Sequence, residues 1–193
     1  MCWKPQTLLL PLALAAMAQH ARATDVVGLA AGEIFVTSAT VPNFKEKQIH
    51  VEAVINAKPE RVWAIVSDCA NFKKTMPTIS ESELVSRQGN VFVCRSTLDL
   101  TWPLPNLIAT TRVVQTVVNG SWRAEWTLVS GDYKYNQGQW NLSVFEGDPG
   151  RTFVVYEVLV SPTIVVPDAL TLFGKTQALP NMIRGLRAQL GAS

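Results

Sequence analysis

From Gln48 onward the chain alternates apolar and polar positions with a period of two. Ile49, Val51, Ala53 and Ile55 interleave with His50, Glu52, Val54 and Asn56, the pattern of a strand with one face on a core. Lys58-Pro59-Glu60 then opens a helix, because proline fits a first helical turn and an acid favours its positive end. Val62, Ile65, Val66 and Cys69 recur at helical spacing beside Trp63. Asn71–Met76 reads as a second short helix, stopped by Pro77. Six further strands are predicted, over Ser80–Ser86, Val91–Thr101, Ile108–Val118, Trp122–Ser130, Gln139–Phe145 and Thr152–Val160. Turn residues separate them: Gln88-Gly89-Asn90, Pro103-Leu104-Pro105-Asn106, Asn119-Gly120 and Gly147-Asp148-Pro149-Gly150. Asn119-Gly120 between two apolar runs signals a hairpin, and connections this short make neighbouring strands antiparallel.

The period then changes. Pro167-Asp168 starts a helical stretch running to about Leu190, in which Leu179, Met182, Ile183, Leu186 and Leu190 form one continuous apolar face. Pro180 should kink this helix or divide it. Some 22 residues at about 1.5 Å each reach roughly 33 Å, the length of a ten-residue strand at about 3.3 Å per residue. One long helix can therefore lie along the concave face of one curved antiparallel sheet.

The two ends of the N-terminal region read differently. Residues 1–23 have a basic start at Lys4, an apolar stretch from Leu8 to Ala18 and the small-x-small sequence Ala21-Arg22-Ala23. That is the layout of a secretory signal peptide, and its apolar core is too short to span a bilayer comfortably. Residues 24–47, with Gly28, Gly32 and Pro42, read as an irregular arm holding at most one short strand at Glu33–Thr37. The globular domain spans residues 48–190.

Composition narrows the chemistry. The chain of 193 residues is 48% hydrophobic and 17% charged, with 17 Lys+Arg, 15 Asp+Glu, 2 His and 3 Cys. This balance supports one well-buried core. A formal charge of +2 without a basic run argues against binding nucleic acid. So few His and Cys leave little room for a multi-ligand metal site. Removal of residues 1–23 takes away Lys4 and Arg22, and with them the whole excess charge. It leaves one histidine, His50, near the start of the first long strand and on the face opposite Ile49 and Val51. No catalytic triad can be assembled without it, and the pair Glu81/Glu83 reads as solvated surface near a turn.

Several segments in combination carry a resemblance to a known superfamily. Ala57-Lys58-Pro59-Glu60-Arg61-Val62-Trp63 opens the first helix, and Asn71-Phe72-Lys73-Lys74-Thr75-Met76-Pro77 follows it. Arg151-Thr152 through Tyr156-Glu157-Val158, then Pro162 and Pro167, end the last strand. Leu179-Pro180-Asn181-Met182-Ile183-Arg184-Gly185-Leu186-Arg187 lies in the final helix. In order and spacing these resemble the START-like, helix-grip (SRPBCC) superfamily, which also holds the birch-pollen-allergen-like proteins. The nearest resemblance is to its polyketide cyclase/dehydrase branch, which includes coenzyme-Q-binding START proteins. The match covers about residues 48–190.

The resemblance implies an α+β helix-grip fold. A curved antiparallel sheet of about seven strands surrounds a long C-terminal helix, with two short helices after the first strand. It also implies an apolar cavity between sheet and helix, occupied in relatives by lipids, quinones, polyketides or other aromatic molecules. On that frame the candidate ligand contacts are Met76, Trp102, Arg112, Trp126, Tyr156, Phe173, Leu179, Met182, Ile183 and Leu186. Trp102 would sit at the rim. Arg112, sharing a face with Ile108, Thr110 and Val114, would either meet a ligand carbonyl or form a surface ion pair. The Tyr156 hydroxyl would bond a ligand or a buried neighbour. Arg95 and Asp99 should point to water.

Cys69 and Cys94 are left to pair as a disulfide or to stay as buried thiols; export would permit the pairing. The expectation is an exported carrier of a hydrophobic small molecule with no catalytic residues, no cofactor and no metal, for which transient membrane contact is compatible. A polyketide cyclase or dehydratase working in the same cavity, or a partner-binding module with the cavity filled, are the alternatives. Ligand identity and oligomeric state are not readable from the residues. Export has a direct check: N-terminal sequencing of the mature protein should begin at Thr24, and a start at Met1 would remove the periplasmic or secreted assignment.

Overall fold

The computed structural model describes residues 25–100 and 104–192. Its strands are β1 (Ile34–Thr40), β2 (Lys47–Ile55), β3 (Ile79–Gln88), β4 (Val91–Leu98), β5 (Leu107–Val118), β6 (Ser121–Gly131), β7 (Tyr133–Phe145) and β8 (Asp148–Pro162). They form one antiparallel sheet in the order β1-β2-β8-β7-β6-β5-β4-β3. Strands β3 to β8 are a continuous meander, as their short connections require. Between β2 and β3 the chain crosses to the far edge through α2 (Pro59–Val66), a 3-10 turn at Cys69–Asn71 and α3 (Phe72–Thr75). The C-terminal helical segment comprises α4 (Asp168–Phe173), a π-helical turn (Gly174–Ala178) and α5 (Leu179–Leu190). The expected class, a curved sheet gripping a C-terminal helix, is the one observed.

Pro180 explains the break in the last helix. It has no N–H to offer the carbonyl four residues back, and its ring would collide with that carbonyl. The chain opens into a wider π turn just before it, and α5 restarts with Pro180 in its first turn, where a missing N–H costs nothing. The far end stops at Gly191, whose φ of 63° puts it in the left-handed region.

Two hairpins show how local chemistry fixes register. Asn119 and Gly120 have φ of 49° and 75°, a two-residue turn whose twist suits the flanking strands. The next turn falls at Glu146-Gly147, with φ of 47° and 77°. It lies earlier than the expected Gly147–Gly150 turn, and Asp148 to Gly150 join β8 instead. Strand β7 likewise begins at Tyr133, not at Gln139. Residues 133–138 are polar and end in glycine, so alternation alone is silent there; pairing with Val160–Pro162 of β8 supplies the order.

The N-terminal arm is the main departure from expectation. The strand expected at Glu33–Thr37 is present as the longer edge strand β1, paired along its length with β2, but the rest of residues 25–47 is less irregular than expected, since α1 (Val26–Ala30) precedes it. Ile34 and Val36 pack on the main core, while Leu29 and Phe35 join Val54, Phe145 and Phe153 in a second cluster on the outer face. Arginines from distant elements secure this arm. Arg151 Nη2 donates to Ala30 O at 3.0 Å and Arg187 Nη1 to Gly32 O at 2.8 Å, while Arg187 also donates twice to Val54 O. These donors satisfy carbonyls left open after the first helix. Residues 26–40 thus pack as part of the sheet and its outer cluster. Residues 1–24, with the expected signal peptide, lie outside the described residues.

The main core lies on the concave face. Val62, Val66, Ile183 and Leu186 from the helices meet Val51, Ala53, Leu142 and Val154 from the sheet, all essentially fully buried. Cys69 and Cys94, whose pairing the sequence left open, form a disulfide with Cα atoms 6.0 Å apart, which fastens the 3-10 turn to β4. The bridge spans 25 residues, a loop whose closure contributes about 3 kcal/mol in the chain-entropy model. Replacing both cysteines by alanine should lower unfolding stability by about that amount, read from the urea midpoint.

Candidate functional site

The pleat sends alternate residues to opposite faces, and the concave face divides into two halves. Beneath α5, Met76, Met182, Ile183 and Leu186 are buried against β2, β7 and β8, and this half is closely packed. Toward the other pole, at the ends of β4, β6 and β8, the inward residues Leu98, Leu128 and Val160 are only half-buried. With Leu100 and Ile164 they surround a small buried cluster of Leu107, Ala109 and Tyr133. Inward-facing apolar side chains that keep accessible surface mark the half of the chamber that the helices leave open.

An aromatic platform stands between the two halves. Trp126 of β6 and Tyr156 of β8 stack with ring centroids 5.6 Å apart and 28° between planes. Trp140 of β7 lies against the same tyrosine at 4.6 Å. Trp126 is directly opposite Gly138 in the ladder, and Trp140 is opposite Tyr156. The stack depends on that glycine. A Cβ at Gly138 would come within 2.4 Å of the Trp126 ring and 2.2 Å of Glu157 O, so only glycine lets the indole lie flat across β7. The indole is held in place by Nε1–H donating to Asn136 Oδ1 at 2.9 Å.

Polar groups on this face are few. Gln115 donates to Ser67 O and Thr152 to Ala57 O, so both are occupied in tying the sheet to the helices. The hydroxyls of Tyr133 and Tyr156 make no hydrogen bond among the described residues. Burial pushes the Tyr133 hydroxyl up to about 12, with a smaller push from Asp132. Burial raises the Tyr156 hydroxyl further still. Both are therefore neutral donors near neutral pH.

The charged residues sit on the opposite face. His50 lies between two carboxylates: Nδ1 is 2.9 Å from Glu157 Oε1 and Nε2 is 3.0 Å from Glu52 Oε1. Carboxylates only accept, so the protonated ring, with a proton on each nitrogen, satisfies both contacts at once. The hydrogen bond to Glu157 raises the His50 pKa above its ordinary 6.5, against a desolvation cost, with Glu52 adding to the rise. The same bond holds Glu157 below its ordinary 4.5, helped by Gln139. Gln139 in turn accepts from Arg123 Nη2 at 2.7 Å, and Arg123 also pairs with Glu125 at 2.6 Å. The result is a polar ladder across β2, β8, β7 and β6. An open recess of about 310 Å³ beside it includes Gln48, Thr127, Gln137 and Glu157, and another of about 450 Å³ near the β3 edge includes Lys73, Glu81, Glu83 and Arg95. Both are open to solvent, and Trp126 and Leu159 add apolar surface to the first.

The structure gathers some expected site residues and disperses others. Trp126 and Tyr156 meet in the platform. Met76, Met182, Ile183 and Leu186 line the packed half, with Leu179 half-buried at its margin. Phe173 is not in a roof over the cavity; it is 52% exposed on α4. Arg112 is exposed on the outer face, because Ala109 and Val113 take the inward positions of β5; its expected ligand role is thereby withdrawn. Arg95 and Asp99 point to water as expected. Trp102 lies outside the described residues. Tyr133, Asn136 and Gly138 were not anticipated, because the expected strand began only at Gln139; Trp140 lay in that strand but was not singled out as a site residue.

A curved antiparallel sheet packed on a C-terminal helix, with an apolar core between them, defines a helix-grip protein. The chain belongs to the polyketide cyclase / dehydrase and lipid transport family, whose model matches residues 55–187. Solved structures share the fold. A STAR-related lipid transfer protein from Xanthomonas axonopodis aligns with a TM-score of 0.70 at 19% identity, over 82% of this chain and 93% of that one. Human StAR-related lipid transfer protein 5 gives 0.69 at 13% identity, over 83% and 82% of the two chains. The Zhui aromatase/cyclase from a Streptomyces species gives 0.59 at 11% identity, over 75% and 93%.

The His50 ladder predicts a pH dependence. A raised histidine pKa contributes stability that is full below the ordinary 6.5 and is lost as pH rises through the folded value. A lowered glutamate pKa contributes stability present above the ordinary 4.5 and lost as pH falls through the folded value. The pair therefore stabilises most between those two ordinary values. Urea midpoints should fall from about pH 5.5 to about pH 8.5 in the native protein by more than in His50→Gln.

Proposed function

We propose that this protein carries a hydrophobic small molecule, of the lipid or quinone-like kind, in the open half of its concave chamber, and does so after export. The observation that supports it most is the half-buried inward surface around Trp126, Leu128, Tyr156 and Val160. Apolar side chains that face the interior yet retain accessible surface gain free energy when a greasy ligand covers them. Family membership points the same way, since the family is described by lipid transport as well as by cyclase and dehydrase activity.

Carriage accounts for the chamber better than turnover does. Acid–base chemistry needs a group that exchanges protons near neutral pH. Along the described inward face the groups that titrate are tyrosines held protonated by burial, while His50 and its carboxylates lie on the other side of the sheet. A wholly filled interior, the partner-module alternative, fits poorly with the exposed surface at the open pole.

Native mass spectrometry of the protein from its own source should show a co-purifying hydrophobic molecule. Trp126→Ala should reduce its retention at least about tenfold, the scale expected for removing a large aromatic contact. Recovery of the ligand-free mass alone, both as isolated and after incubation with a lipid extract, would defeat the carrier reading.

A further inference from the structure

The two edges of the sheet differ in how they are finished. At the β3 edge the ladder breaks register twice, between Ile79 and Glu81 and between Leu84 and Ser86, and the strand carries Glu81, Glu83 and Arg87. Bulges and charges of this kind keep an edge from pairing further. Strand β1, at the other edge, has neither. Its seven residues, Ile34-Phe35-Val36-Thr37-Ser38-Ala39-Thr40, include no charge and no proline, and they pair with β2 in unbroken register. Alternate N–H and C=O groups of such a strand point away from its neighbour. Among the described residues, no element other than β2 hydrogen-bonds to the backbone of residues 34–40.

Helix α1 holds this edge in place. Gly28 lies so close to Phe35 that a Cβ there would come within 2.8 Å of the Phe35 ring. Val26 and Val27 of the same helix stay 40% and 80% exposed, so apolar surface adjoins the unpaired backbone.

The order of side chains along β1 points to the occupant. The large residues Ile34, Phe35 and Val36 fill its first half, the small residues Ser38, Ala39 and Thr40 its second, and Thr37 stands at the centre. A second copy laid antiparallel about a two-fold axis at Thr37 sets Phe35 against Ala39, Val36 against Ser38 and Ile34 against Thr40. Every large side chain then meets a small one, Thr37 meets Thr37, and no like charges face each other, which suits cross-strand pairing. A strand whose second half complements its first meets the condition for a self-complementary two-fold contact.

We propose that two copies of this chain join through β1, pairing antiparallel about Thr37 to make one continuous sheet. The contact is one strand wide, less than a standard interface, so assembly is reversible and depends on concentration.

Sedimentation velocity of the full chain between about 1 and about 200 µM should show monomer passing to dimer. Ala39 is exposed, so Ala39→Lys disturbs the fold little while setting an ammonium against Phe35 of the second copy. It should raise the dissociation constant at least about tenfold and leave the urea midpoint of the dilute protein unchanged. Glu81→Ala, on the other edge, should leave assembly as it is. Register is read in a Cys2→Ser background with a thiol-reactive linker spanning about 5 Å, the separation of directly opposed side chains. Thr37→Cys should give covalent dimer and Ala39→Cys should not, because the two copies of position 39 lie four residues apart along the paired strands, about 13 Å. A monomer at every concentration overturns the proposal, whether other residues or a captured peptide cover the edge. So does a dimer that Ala39→Lys leaves unchanged. A dimer sensitive to Ala39→Lys but linked equally at both positions, or at neither, overturns the pairing about Thr37.

Discussion

The pleat of a single antiparallel sheet sorts every side chain of this protein to one of two solvents. Successive residues of a strand point to opposite faces, so one choice of register decides burial for all of them at once. Here the register puts the His50–Glu157–Gln139–Arg123 ladder in water and Val51, Trp140, Tyr156 and Leu142 in the interior. A shift by one residue would bury His50 and its carboxylates and expose the aromatic platform. The electrostatics of the outer face and the emptiness of charge in the chamber are therefore the same fact seen from two sides.

The helices cover the concave face unevenly. Helix α5 brings its apolar stripe onto half of the concave surface, where Ile183 and Leu186 are fully buried. The π turn before Pro180 changes the course of the chain over the other half, and α4 leaves Leu172 and Phe173 more than half exposed. Close packing at one end supplies stability, aided by the disulfide between Cys69 and Cys94. Looser packing at the other end leaves Leu98, Leu128 and Val160 half-buried. Gly138 links the two halves, because the absence of a side chain there permits the Trp126–Tyr156 stack.

Much of the fold was legible because it rests on local periodicity. The alternation in 49–55, the Asn119-Gly120 turn and the stripe from Leu179 to Leu190 each named their element correctly. Expectation failed where the information was not local. The strand expected at Glu33–Thr37 is there, but its length is set by pairing with β2, and α1 before it went unforeseen; Arg151 and Arg187, more than a hundred residues away, bond the carbonyls that connect the two. Residues 133–138 are mostly polar, and pairing with β8, joined by β6 from Gln137 onward, makes them a strand. Arg112 was left open between a ligand contact and a surface position, since both parities of β5 include apolar residues and only the sheet register separates them.

The sequence by itself determined the class of this protein, the meander of strands and the amphipathic last helix, since each follows from residue type and short-range spacing. Tertiary structure alone decided that Cys69 reaches Cys94, that His50 stands between two glutamates, and that Trp126 lies across Gly138 onto Tyr156. Those are meetings between residues distant in the chain. Their geometry depends on how neighbouring strands align and where the helices settle, which no single stretch of sequence encodes.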